Sequence, residues 1–341
     1  MQPLLATRAF QNRILRLSRR HVVLAVVTVY LVLLAFGVAY TTHPSNLGIE
    51  AEWDEVRNAW IVSSVPAFSV AGDAGIQAGD IIREVNGHPI DSSDARILTS
   101  TGSVRQLSVE RPESGLLFSA DVTERELNIF AYIVISLASV GVGAVAGIWG
   151  RGPAPRALAL LCFSGAFELA VVPAVYRQAT WGIVIHSIML PLTFSSVAYL
   201  PLVFPVYRRP RISQWSIPPW VLPLSSIPAA ASLVVTGVFA PAYYGLLRPV
   251  HYTYYLACLG GASFALVYNW WRARSDREAT QLRIVTLGSL LSLMPFILFS
   301  MLPRMVLGHD LVRPEISTLS LVLIPASFAY AILRYQIMDL R

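Results

Sequence analysis

Lysine is absent from this chain: all 26 basic residues are arginine, set against 20 acidic ones, for a formal net charge of +6. Arginine serves as a topogenic charge as well as lysine does, so the bias is read as genomic composition and carries no mechanism. Charge of either sign is scarce, with 13% charged against 55% hydrophobic residues and a mean hydropathy of +0.57. Such a composition excludes an ordinary soluble chain and predicts a polytopic α-helical membrane protein. Cysteine is nearly missing too. Cys162 and Cys258 each lie in an apolar stretch, where a thiol acts as a small hydrophobe, so neither a disulfide nor a redox motif is expected. Hydrolytic motifs are lacking as well: none of His21, His43, His88, His186, His251 and His309 is followed by glutamate, which removes the HExxH zinc site. A serine-protease reading of Ser164-Gly165 with His186 lacks the glycine expected two residues before the serine. No catalytic residue, no metal and no cofactor is therefore expected.

What the chain has in abundance is long apolar runs. A helix crosses the hydrocarbon layer with about 20 mostly apolar residues, and eight stretches approach that length: 21–41, 127–149, 157–175, 181–204, 216–239, 252–271, 283–303 and 316–334. Basic residues precede the first, as in a signal peptide, but the run is long and no small-residue cleavage site follows Thr41, so a retained anchor is expected. Arginine sets the orientation, because cytoplasmic loops carry the positive excess. Residues 1–20 hold Arg8, Arg13, Arg16, Arg19 and Arg20, which puts the N-terminus inside. Eight crossings then leave Arg151 and Arg156, Arg208 to Arg211, Arg272 to Arg283 and the C-terminus inside, and the poorer loops at Arg177, Arg248 and Arg304 to Arg313 outside. Residues 335–341 read as a cytoplasmic connector, the start of either a longer protein or a contact with a separate partner.

Between the first two spans the greasiness stops. Residues 44–125 hold thirteen acids and six arginines, a net of −7 in a chain that is +6 overall. An acidic extracytoplasmic domain fits this segregation, and nucleic acid as a partner is excluded. Short β-prone runs at Trp60 to Val65, Ile81 to Val85, Val104 to Val109 and Leu116 to Val122 are separated by turn residues, with Gly75 and Gly79 bracketing one connection and Asn86-Gly87 marking a hairpin. A small β-rich (α+β) domain is expected.

The order DAGIQAGDII (73–82), EVNGHPI (84–90) resembles the bacterial PDZ pattern, with VSSVPA (62–67) like its preceding strand and loop and RQLSVER (105–111) like its closing strand with arginine. The resemblance implies a groove in which a peptide adds as a strand and its C-terminal carboxylate is held by backbone N–H groups. Asn46-Leu47-Gly48-Ile49 matches the carboxylate loop: Gly48 would let the amides turn inward, and Leu47 and Ile49 would line the pocket for the last side chain. The second groove wall would be a helix over Ser92 to Thr99, presenting Ile97 and Leu98. The alternative is a packing or dimer module whose groove is unused.

In the membrane part, Glu168 and His186 fall on the third and fourth spans, neighbours in a helical hairpin. Ionisable residues there are costly and become functional candidates, either sensing pH or meeting a ligand, with a satisfied polar contact as the alternative. Proline at 191, 223, 228, 295 and 325 predicts kinks. LVFPVYRRPR (202–211), RSDREATQLRIVTLGSLLSLMP (274–295) and AYAILRYQIMDLR (329–341) resemble the multi-span input region of bacterial sensor histidine kinases, including the competence and quorum-sensing type, whose phosphoacceptor and nucleotide boxes do not occur within these residues. The expectation is a signal-input module in a bacterial inner membrane, with an extracytoplasmic peptide or protein C-terminus and the lipid bilayer as partners and a homodimer by analogy. A PDZ-bearing scaffold or regulator without enzymatic output is the alternative, and a transporter a weaker third, since no inverted repeat is evident.

Overall fold

The structure, a computed structural model, describes residues 3–42, 49–66, 69–92, 106–122, 129–205, 211–212, 215–216, 218–273, 275–306, 311–312 and 314–338. Helix α1 (Pro3–Ala39) runs from the basic N-terminal segment through the first apolar run without a break. The insert follows with β1 (Glu50–Asp54), β2 (Ala59–Ser64), the single turn α2 (Val70–Asp73), β3 (Ile81–Val85), β4 (His88–Pro89), β5 (Gln106–Arg111) and β6 (Leu116–Asp121). The membrane part then comprises α3 (Ile129–Trp149), α4 (Pro153–Tyr176), α5 (Thr180–Val203), α6 (Val221–Phe239), α7 (Tyr244–Trp271) and α8 (Asp276–Val306). A short helix, Pro314–Leu319, leads through a 3-10 turn into α9 (Leu323–Met338).

Among the described residues, six helical segments are long and apolar enough to cross a membrane: Arg19–Ala39, Ile129–Trp149, Pro153–Tyr176, Thr180–Val203, Val221–Phe239 and Asp276–Val306. The other two of the eight expected stretches are also helical but less clear-cut. Helix α7 is long, yet its sequence is diluted by Arg248, His251, a run of tyrosines and Asn269. The last apolar run, Ile316–Ala331, is shorter.

Packing is unequal across the bundle. In α4, 72% of the apolar window is buried, against 17% in α1 and 22% in α6, so α4 is the central helix and α1 and α6 lie at the rim. Helix α1 docks closely all the same. A Cβ at Gly37 would stand 2.1 Å from the Ala170 carbonyl oxygen, so only glycine lets these two backbones approach. Tyr30, fully buried, shares a 2.8 Å hydrogen bond with Ser136 of α3, and Arg177 after α4 donates to the Thr41 carbonyl at 3.2 Å. Serines close the other side: Ser292 of α8 and Ser320 before α9 each donate to the other's carbonyl, at 2.6 and 2.7 Å. With no hydrophobic drive between helices in lipid, such small-residue contacts and hydrogen bonds are what hold a bundle together.

The insert is an antiparallel sheet in the order β1-β2-β3-β5-β6, with β4 paired to β3. Its strands follow from alternation: Trp60, Val62, Ile82, Val85, Leu107, Val109 and Ala120 face one core, to which Ile76 and Ile90 add. The β3–β4 hairpin turns on Asn86 and Gly87 at φ 54° and 80°, the left-handed pair that a two-residue turn of this type needs. Sequence reasoning missed β1, whose EAEWD carries three acids and no aliphatic run.

Candidate functional site

Two places in the fold bring chemistry together. In the insert, β1 is an end strand of the sheet, paired on one side with β2 through Trp53 opposite Trp60. These rings meet edge to face at 5.6 Å and fix the register of the outer strand. Ile49, which leads into β1, is buried in the domain core at 7% exposure. Leu47, Gly48, Ile97 and Leu98, the other residues read from the sequence as groove, lie outside the described residues.

Below the sheet edge, the connection into β3 is clamped by one ion pair. Asp80 is only 2% exposed; it accepts from Arg111 Nε and Nη2, each at 2.9 Å, and from the Gln77 backbone N–H at 2.9 Å. Arg111 Nη2 also donates to the Gly75 carbonyl at 2.8 Å, and its guanidinium lies over the Phe118 ring. Hydrogen bonding to Asp80 raises the arginine pKa above its already high ordinary value, so the guanidinium stays charged. This clamp locks the loop with Gly75 and Gly79 to β5. It is an architectural contact with every carboxylate oxygen engaged.

The second place is in the bundle. Helices α3 to α8 and the segment entering α9 surround a cavity of about 250 Å3. Glu168 and His186 both line it, with Nδ1 of the histidine 3.4 Å from Oε1 of the glutamate. Arg304 lines it as well, a residue that sequence reasoning left in a loop beyond the seventh span. Helix α8 continues through Pro295 and a π turn, Ile297–Met301, as far as Val306, and that carries Arg304 into the bundle. Tyr255 and His251 of α7 line it too, with Tyr255 stacked on Phe194 at 4.5 Å. The sequence offered one signal for them: Tyr252, Tyr255 and Leu259 recur at helical spacing along one face.

The lining residues share one end of the bundle. They come from the start of α3 and α7 and from the later part of α4 and α8, and because successive helices run antiparallel these lie at the end where α1 leaves for the insert and α3 returns from it. The insert touches that end directly, since β2 approaches the short turn Pro241–Tyr243 between α6 and α7. Among the described residues no cluster of histidine, cysteine and acids could hold a metal ion.

The fold is thus that of a helical membrane protein carrying a small antiparallel domain. The domain is a PDZ domain: that family's profile matches residues 61–111, from β2 through β5. The match stops short of residues 46–49 and does not include the bundle. No curated protein matches the chain.

Proposed function

We propose that the chain is a signal-input module, in which a peptide or protein C-terminus on the extracytoplasmic side adds as a strand beside β1 and the helices carry the effect inward. The carrying observation is the position of β1: an end strand, directly after Leu47, Gly48 and Ile49, in a domain of the family whose members generally bind peptide C-termini. Ile97 and Leu98 would form the facing wall. The approach of β2 to Pro241–Tyr243 and the bond from Arg177 to Thr41 favour input over a passive scaffold, because they join the domain and its first anchor to the outer ends of α4 to α7. Signalling then requires that the ligand bind one arrangement of the bundle better than another.

The finer assignment is eight crossings with both termini in the cytoplasm of a bacterium, supported by arginine-rich stretches on one side and the acidic insert on the other. The output is that of a dimeric sensor histidine kinase of the competence and quorum-sensing type, supported by the membrane-boundary patterns at 202–211, 274–295 and 329–341. The scaffold reading shares the groove but not the output.

The test uses the whole chain in lipid nanodiscs. Fluorescent peptides with free C-termini are titrated, alongside the same peptides amidated. Binding that vanishes on amidation and in Gly48→Glu supports the groove; unchanged affinity in Gly48→Glu sinks the assignment of residues 47–49. Phosphotransfer from the native protein on adding the peptide separates a kinase input from a scaffold.

A further inference from the structure

Strand β1 offers a ligand two faces as well as an edge. Successive side chains alternate across a strand, so Ala51 and Trp53 point one way and Glu50 and Glu52 the other. Burial follows the same order: Ala51 and Trp53 pack on the domain core, whereas Glu50 and Glu52 are exposed. The pairing with β2 agrees, since Ala51 stands opposite Val62 and Trp53 opposite Trp60, both core residues, while Glu52 stands opposite the half-buried Ile61. The register shifts between Glu50 and Ala51, but the extra residue is Ser63 on β2, whose hydroxyl donates to the Glu50 carbonyl at 2.9 Å. The alternation along β1 itself is kept.

Elsewhere in the domain Asp80 stands by Arg111 at 2.9 Å, Glu110 by Arg83 at 2.8 Å and Asp54 by Arg57 at 3.8 Å. Glu50 and Glu52 have no such arginine among the described residues, in a segment of thirteen acids and six arginines. The position of a ligand follows from the groove reading given above, on which this inference rests. With its carboxylate beside residues 47–49, at the start of β1, a bound strand must run antiparallel to β1. Its last side chain enters the apolar pocket on the core side. The side chains one and three places before the end therefore fall on the opposite face, beside Glu50 and Glu52, where opposite charges on neighbouring strands attract.

We propose that Glu50 and Glu52 make the groove selective for polypeptide C-termini that carry arginine or lysine one and three places before an apolar last residue. The apolar pocket and the backbone edge supply the binding, and the two carboxylates choose among the C-termini that fit. Because both pairs are exposed, the selectivity is modest and falls with salt.

The experiment is equilibrium binding to the full chain in phosphatidylcholine nanodiscs, whose zwitterionic surface gives a cationic peptide no general attraction. Three fluorescent alanine heptapeptides ending in valine are compared, each also in amidated form. One carries arginine one and three places before the end, the second glutamine at those places, and the third arginine two and four places before the end. The first should bind about fivefold tighter than the second, as two exposed cross-strand pairs imply. This gain should shrink at about 1 M salt, where screening acts within roughly 3 Å. The third has the charge of the first on the wrong face and should show no gain. Glu50→Gln combined with Glu52→Gln should erase the gain and leave the glutamine peptide's affinity unchanged. Glu84→Gln combined with Glu113→Gln removes as much charge from β3 and the β5–β6 turn and should preserve it. Amidation-sensitive binding that is equal for all three peptides leaves the groove standing and overturns the selectivity, as does a gain shared by the third peptide or kept without Glu50 and Glu52. No amidation-sensitive binding of any peptide overturns the groove reading and this inference with it.

Discussion

Asp80 in the PDZ domain and Glu168 in the bundle are both carboxylates withdrawn from water beside a basic residue, yet they are held differently. Asp80 accepts three hydrogen bonds of 2.9 Å, two of them from one guanidinium, and is packed over on every side. Glu168 meets His186 at 3.4 Å with a cavity in front of both. A buried charge is tolerable when its lone pairs are filled by fixed donors, and the insert does this to fasten a loop. The bundle keeps its ionisable groups against a cavity and meets them with fewer fixed donors. Saturation marks the pair that fastens a loop, whereas the pair in the bundle borders a cavity.

The strongest way to break that contrast is Arg111→Leu. It leaves Asp80 charged and buried without its main partner, and the domain should lose roughly 3–5 kcal/mol. Hydrogen exchange of β3 and β5 amides in the whole chain measures the loss; a change below about 1 kcal/mol, the range of an exposed ion pair, would show that the clamp is dispensable. Next in size is Gly37→Leu, which forces α1 away from the Ala170 carbonyl. Overpacking of this kind should cost about 1–3 kcal/mol and loosen the anchor from which the insert hangs. Thermal unfolding in detergent reads the cost, and an unshifted midpoint would mean that the α1–α4 approach is not a tight contact. The smallest effect is expected at the membrane pair. A double-mutant cycle of Glu168→Gln and His186→Gln should give a coupling near the 0.6 kcal/mol or so typical of hydrogen bonds between membrane helices. A coupling above about 2 kcal/mol would exceed the largest of those and make it a clamp like Asp80 and Arg111.

The strands from β2 onward could be read because the insert alternates apolar and polar residues and punctuates them with Asn-Gly and Gly-Asp turns, signals that act over a few residues. β1 could not, because Glu50, Glu52 and Asp54 mask a strand whose stability comes from its pairing with β2 and from Trp53 on Trp60. Apolar length announced the spans, but their ends were harder. The seventh apolar stretch was expected to end at 303, whereas a π turn carries α8 on to Val306, with Ser300 hydrogen-bonded to Ser317.

By itself the sequence determined that the chain lives in a membrane, that an acidic PDZ domain interrupts its spans, and that Glu168 and His186 face each other across one hairpin, since hydropathy, charge and turn chemistry are local or nearest-neighbour properties. Only the tertiary structure decided that Arg304, Tyr255 and His251, from helices far apart in the chain, share one chamber with that pair. A cavity is the space that several helices fail to fill together, and no single stretch of sequence encodes it.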